Sequence, residues 1–137
     1  MVTVDSDNFG HPKGNYIKLL DSLPNIDYIY GFNDIIAYNA WKVAKSKGLE
    51  KKIKFIGVDG LNGPFGGIQL VKDGTLESTI LYPTGGSEAI KLALKILNNE
   101  IVPKNNKLNT ILIDSLNADI MSNQFDNTYE LRIGGEY

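Results

Sequence analysis

Three polar sites in this sequence have the types and settings to do chemistry: the pair Asn33-Asp34, Asp59, and the stretch Tyr82 to Thr84. Each lies at the end of a short apolar run, IDYIY (26–30), KFIGV (54–58) and STILY (78–82). An amide that both donates and accepts suits a neutral hydroxyl, and a carboxylate accepting from two adjacent hydroxyls makes strong charge-assisted bonds. Asn33 and Asp59 are therefore ligand candidates, while Asp34 reads as a helix cap or an orienting group. Each has a plainer reading. Either Asn33 or Asp34 alone explains a helix cap, Asp59 in VDG suits a turn, and Tyr82 is as much a core residue as a stacking face.

The elements that must carry these positions alternate in type. After VTV (2–4), residues 13–22 place Tyr16, Leu19 and Leu20 on a helical stripe that Pro24 closes. Residues 34–47 repeat apolar positions at Ile35, Ala37, Tyr38, Trp41 and Ala44, and Gly48 supplies the stop. A loop, LNGPFGG (61–67), runs into a two-turn helix ending at Gly74. Residues 85–99 carry the strongest helical stripe, Ala89, Ile90, Ala93, Leu94 and Leu97, with Thr84 placed to cap it; TILID (110–114) is the last clear strand. Strand and helix at this spacing predict an α/β fold, a Rossmann-like and mostly parallel sheet with both faces covered by helices. In such sheets ligands sit at the carboxyl ends of the strands, where the three candidate sites fall. Beyond Asp119 the pattern mixes an amide-rich helix with a strand-like YELRI.

Composition narrows the chemistry. The 137 residues are 42% apolar and 22% charged, which suits one domain with a real core. A formal charge of −2 with no basic block gives no case for nucleic acid. With no cysteine there is neither disulfide nor thiolate, and the lone His11, in FGHPKG, has no cluster for a metal. No stretch has the length of a membrane span, and no signal-peptide pattern opens the chain. No GxxxxGK[ST], GxGxxG or GxSxG occurs, and Asp5, Asp7, Asp34 and Asp59 make no convincing magnesium site. The expectation is a non-catalytic domain without cofactor or metal.

The phrases GVDGLNGPFGGIQLVKDG, ILYPTGGSEAIKLA and IDSLNADIM, with the ND pair and VDSDNF upstream, resemble the periplasmic sugar-binding proteins of the ribose-binding and lactose-repressor-like type. They look most like the sensor regions of hybrid two-component histidine kinases of Bacteroides-like bacteria. The resemblance spans residues 3 to about 121 but only the second part of that domain, in which two Rossmann-like lobes hold a sugar between them. It implies that residues 1–82 are most of lobe two, that 83–111 form a helix and strand packing on lobe one, and that 112–121 cross back. Residues 122–137 are left as an unassigned tail. Tyr82-Pro83 and Leu112-Ile113 would lie at hinge crossings.

By the same resemblance Asn33 and Asp59 match the family's sugar-binding Asn and Asp, and Tyr82 stands where many members carry a Gln. Phe9 is a further candidate for the aromatic of the cleft. The implied function is an extracytoplasmic sugar sensor that signals by lobe closure, its parent a periplasmic-facing histidine kinase reached through absent flanking segments. The alternatives are the solute-binding protein of a sugar ABC transporter and the effector domain of a LacI-type regulator. The implied partners are a small neutral sugar, the missing first lobe and, for the chain alone, a second copy in a simple or swapped dimer.

Overall fold

The computed structural model describes residues 13–23 and 25–124; Phe9, His11, the VTV run, Pro24 and the YELRI segment lie outside them. Four helices and four strands follow in the order α1 (Lys13–Ser22), β1 (Tyr28–Tyr30), α2 (Asp34–Ser46), β2 (Lys54–Asp59), α3 (Gly67–Lys72), β3 (Ser78–Leu81), α4 (Gly86–Leu97) and β4 (Ile111–Asp114). A helical segment over 118–124 closes the described chain. The sheet order is β1-β2-β3-β4. The first two pairings are parallel and β4 runs antiparallel to β3, so the sheet is mostly parallel, as expected.

Alternation along the strands divides the side chains into two faces. Ile29, Phe55, Thr79 and Ile113 share one face through the register Ile29↔Phe55, Gly57↔Thr79 and Thr79↔Ile113, and all four are buried. The helices α2 and α3 pack on that face, and α1 packs on α2. Ile68, Leu70, Val71, Ala118 and Met121 complete the same core.

The other face carries Tyr28, Tyr30, Ile56, Val58, Ile80 and Leu112. None of the six is buried, and both tyrosines are more than half exposed. Strands of a parallel sheet are ordinarily covered on both sides. Among the described residues the helices pack on one side of the sheet only.

Helix α2 meets the sheet through small side chains. Ala37, Ala40 and Ala44 are fully buried, with Val43 beside them, a stripe at the i, i+3, i+7 spacing of one helix face. The expected stripe was wider and rotated. Ile35 is exposed, and Tyr38 and Trp41 sit at the flank of the core, where their rings stack at 5.9 Å beneath Lys42 and Lys45. Alanine wins the inner positions because the helix approaches the sheet closely, leaving no room for an aromatic ring.

Helix α4 has the most strongly amphipathic pattern and buries nothing. Ile90, Leu94 and Leu97 all point into solvent and are between 57% and 76% exposed. Its start also differs from expectation. The N-cap is Gly85, in the left-handed region at φ 69°, with no side-chain cap bond, so Thr84 does not cap the helix. The chain leaves the sheet after Leu81 and returns at Ile111, its partner in the β3–β4 ladder. Leu112 and Ile113 lie inside β4.

Candidate functional site

The start of α2, the carboxyl end of β2 and the loop between Gly60 and Gly67 line an open depression of about 240 Å³. Asp34, Ile35, Asp59, Leu61 and Phe65 are among its walls. Tyr82 stands beside it: its backbone N–H donates to the Asp59 carbonyl at 3.2 Å, continuing the ladder past β3, and its ring is exposed. Asn33 adjoins the wall residues Asp34 and Ile35 in the chain and is partly buried. The structure thus gathers Asn33, Asp34, Asp59 and Tyr82 at one end of the sheet. Thr84 lies just past Tyr82, exposed, and Phe9 is outside the described residues.

The Asn33-Asp34 pair divides its labour in a way the bare sequence leaves open. Asn33 is the N-cap of α2: it is extended at φ −145°, and its Oδ1 accepts the Ile36 N–H at 2.8 Å. That bond engages the acceptor and turns the Nδ2 donors into the group with most to offer a ligand. Replacing Asn33 by alanine should cost about 1 kcal/mol of stability through the lost cap, read as a shift in a urea unfolding midpoint.

Asp34 is not the cap but a buried anchor, 3% exposed. Its Oδ2 accepts the Gly60 N–H at 3.0 Å and its Oδ1 the Thr79 hydroxyl at 2.5 Å, with the Gly67 N–H as a third donor. Neither Gly57 nor Gly67 has space for a Cβ, because the Asp34 carboxylate occupies it. Glycine at these two positions is what lets the carboxylate enter.

Burial pushes the Asp34 carboxyl above the ordinary carboxylate range, helped by the nearby Asp59 charge and opposed by the bonds from Thr79, Gly60 and Gly67. Asp59 is raised as well, by desolvation. A folded value above the unfolded one means that the folded state holds its proton longer. The resulting stability is fully present below about pH 3.9 and is lost as pH rises through the raised folded value. Relative to Asp34→Asn, the unaltered chain should therefore lose stability as pH rises above about 4 in urea titrations.

Asp59 has an unusual backbone. Its φ of 118° is positive, a property shared among described non-glycine residues only with Asn99. Such a conformation costs on the order of 1–3 kcal/mol and clusters where geometry serves a ligand. Gly60 follows at φ 60°, with no space for a Cβ beside Leu81.

Sequence reasoning passed over Phe65 and Leu61, both exposed in the depression. Phe65 leans on Tyr38 at 6.3 Å between ring centroids. The available signal was an apolar pair inside a Gly/Pro-rich loop directly after a strand-end Asp-Gly. Among the described residues no group of three or more His, Cys, Asp or Glu could hold a metal, and no helix is long and apolar enough to cross a membrane.

No protein-family model matches the sequence, and no curated protein does. Solved structures do. The fructose-binding periplasmic domain of a hybrid two-component system matches 88% of this chain at 38% identity and a TM-score of 0.83. A periplasmic solute-binding protein of an ABC transporter from Actinobacillus succinogenes, solved with D-allose, matches 79% at 28% identity and a TM-score of 0.70. A transporter solute-binding protein from Agrobacterium vitis, solved with D-fucose, matches 78% at 28% identity and a TM-score of 0.66. The chain spans only 40%, 38% and 37% of these three proteins. Its fold is that of the periplasmic sugar-binding proteins, present over about two fifths of their length.

Proposed function

We propose that this chain is the larger part of one lobe of an extracytoplasmic sugar-sensing domain, together with a segment that reaches the other lobe. The observation that carries this reading is the Asp59 carboxylate, held at a positive φ where β2 opens onto the depression. An acceptor so placed takes two adjacent sugar hydroxyls, the Asn33 Nδ2 donates to a hydroxyl oxygen, and the exposed Tyr82 ring lines the cleft or stacks on the sugar. Phe9 is the further aromatic of this proposal. The ligand is a small neutral sugar, in keeping with the fructose, D-allose and D-fucose bound by the similar proteins.

Two surfaces support a missing partner lobe: the unpacked ridge of α4 and its departure and return beside the site at Tyr82 and Ile111. Residues 83–111 then pack on lobe one, and the sugar favours the closed arrangement of the lobes. Signalling follows from that population shift. The higher identity to a two-component domain than to the transporter proteins favours a sensor in the periplasm over a transport receptor.

Isothermal titration with fructose, ribose, arabinose, glucose and galactose tests the proposal, on this chain and on a protein carrying both lobes. Binding by the two-lobed protein, lost in Asn33→Ala and Asp59→Ala, is the expected result. No heat with any of the sugars overturns the functional reading and leaves the fold untouched.

A further inference from the structure

The loop that forms the outer wall of the depression begins and ends on a single carboxylate. Gly60 N–H and Gly67 N–H both donate to Asp34, and the residues between them, Leu61 to Gly66, line the depression with Asp59. Inside the ring the loop is braced twice more, by Gly66 N–H to the Gly63 carbonyl at 3.0 Å and Ile68 N–H to the Leu61 carbonyl at 3.2 Å. Asp34 also accepts from Thr79 on β3, three residues before Tyr82. Three donors from three places therefore meet one buried carboxylate.

A carboxylate serving only to fasten α2 would need no such arrangement, since Asn33 already caps that helix. The neighbours of the three donors are the informative part. Gly60 directly follows Asp59, so holding its N–H fixes the peptide that carries Asp59 into its positive φ. Asp34 itself directly follows Asn33. One dipeptide thus places one polar ligand group by chain adjacency and the other through a hydrogen bond.

We propose that Asp34 is the positioning residue of the sugar site, clamping the Gly60–Gly67 loop at both ends so that the Asp59 carboxylate is presented in advance of the ligand. This rests on the sugar-binding reading and adds to it a residue that acts through Asp59. Preorganisation of this kind raises affinity by removing an ordering cost from the binding step.

The test has an arm that needs no sugar. In the full chain, amide hydrogen exchange at Gly60 and Gly67 and the HN–Hα coupling of Asp59 are measured by NMR for the unaltered protein, Asp34→Ala, Asp34→Leu and Thr79→Val. Alanine and the near-isosteric leucine both lack an acceptor, so either should speed exchange at Gly60 and Gly67 by about tenfold or more and move Asp59 out of the left-handed region. Thr79→Val should leave Gly60 protected, since the Thr79 hydroxyl bonds Oδ1 and the Gly60 N–H bonds Oδ2. Unchanged exchange and coupling in whichever Asp34 variant folds overturn the proposal.

In the second arm, the acceptor-free Asp34 variant that folds, alanine or leucine, is titrated in the two-lobed protein well below its unfolding midpoint. A dissociation constant raised about tenfold, equivalent to 1.4 kcal/mol, supports positioning, whereas an unchanged constant with lower stability shows a fastening role and overturns it. Absence of sugar binding in the unaltered protein refutes the sugar reading, and the amide data then decide alone whether Asp34 holds Asp59.

Discussion

Asp59→Gly should abolish sugar binding in the two-lobed protein while leaving the fold as stable as before, or more stable. The two effects have separate causes. A hydrogen bond to a charged group is worth about 1.5–3 kcal/mol, so losing two from Asp59 to adjacent hydroxyls weakens binding by about a hundredfold or more. Stability moves the other way. Asp59 sits at φ 118°, where a side chain costs on the order of 1–3 kcal/mol and glycine is at ease. The substitution also removes a partly desolvated charge that opposes ionisation of Asp34. Against these gains stands the extra freedom of glycine in the unfolded chain, about 0.5–1 kcal/mol. The expected net is a gain of roughly 1 kcal/mol in a urea melt, beside a flat calorimetric trace. Lower stability with retained binding would show that the carboxylate serves the loop and not a ligand.

The second large effect concerns helix α4. Because Ile90, Leu94 and Leu97 bury nothing, changing all three to Gln should alter the stability of the chain alone by no more than about 0.5 kcal/mol. Its association should change instead. Contiguous exposed apolar surface of a few hundred Å² or more marks an interaction site, and exposed apolar side chains of this molecule gather along the α4 ridge and on the uncovered sheet face. We expect the unaltered chain to self-associate in sedimentation velocity runs, and the triple variant to do so at least tenfold more weakly. In the two-lobed protein the same changes should cost about 2–5 kcal/mol at each position that becomes buried. A chain that stays monomeric at all concentrations, and loses stability in the triple variant, would mean that α4 folds back onto its own sheet.

Much of the architecture was legible from periodicity. Each of α1–α4 and β1–β4 lies within one to two residues of its expected span, because apolar period and glycine stops act locally; the helical segment at 118–124 had no expected span. What periodicity misjudged is which side of α2 faces inward. Apolar character favoured Tyr38 and Trp41, whereas the close approach of helix to sheet selected Ala37, Ala40 and Ala44. Distance between elements is not written in a single element's pattern. The start of α4 failed for a related reason: Thr84 has the chemistry of a cap, but the backbone turns at Gly85.

The bare sheet face could not have been foreseen. Its residues read as buried strand, and a strand's own pattern does not say what, if anything, covers it. At the site, the strand-end rule brought Asn33, Asp59 and Tyr82 to one place, and the resemblance named the first two. The exchange of roles inside Asn33-Asp34 was beyond it, since both residues can cap and only the three donors around Asp34 decide between them.

The antiparallel ladder of β3 and β4 has a consequence for engineering. Leu81 faces Ile111 across that ladder, so the chain sets out toward α4 and comes home through neighbouring positions. Such ends are as close as those of a hairpin, which a two-residue Asn-Gly turn closes. The segment from Pro83 to Asn109 is therefore a removable insert. Splicing Tyr82 to Thr110 through Asn-Gly would yield a minimal lobe that keeps Asn33, Asp34 and Asp59 and sheds the greasiest helix of the molecule.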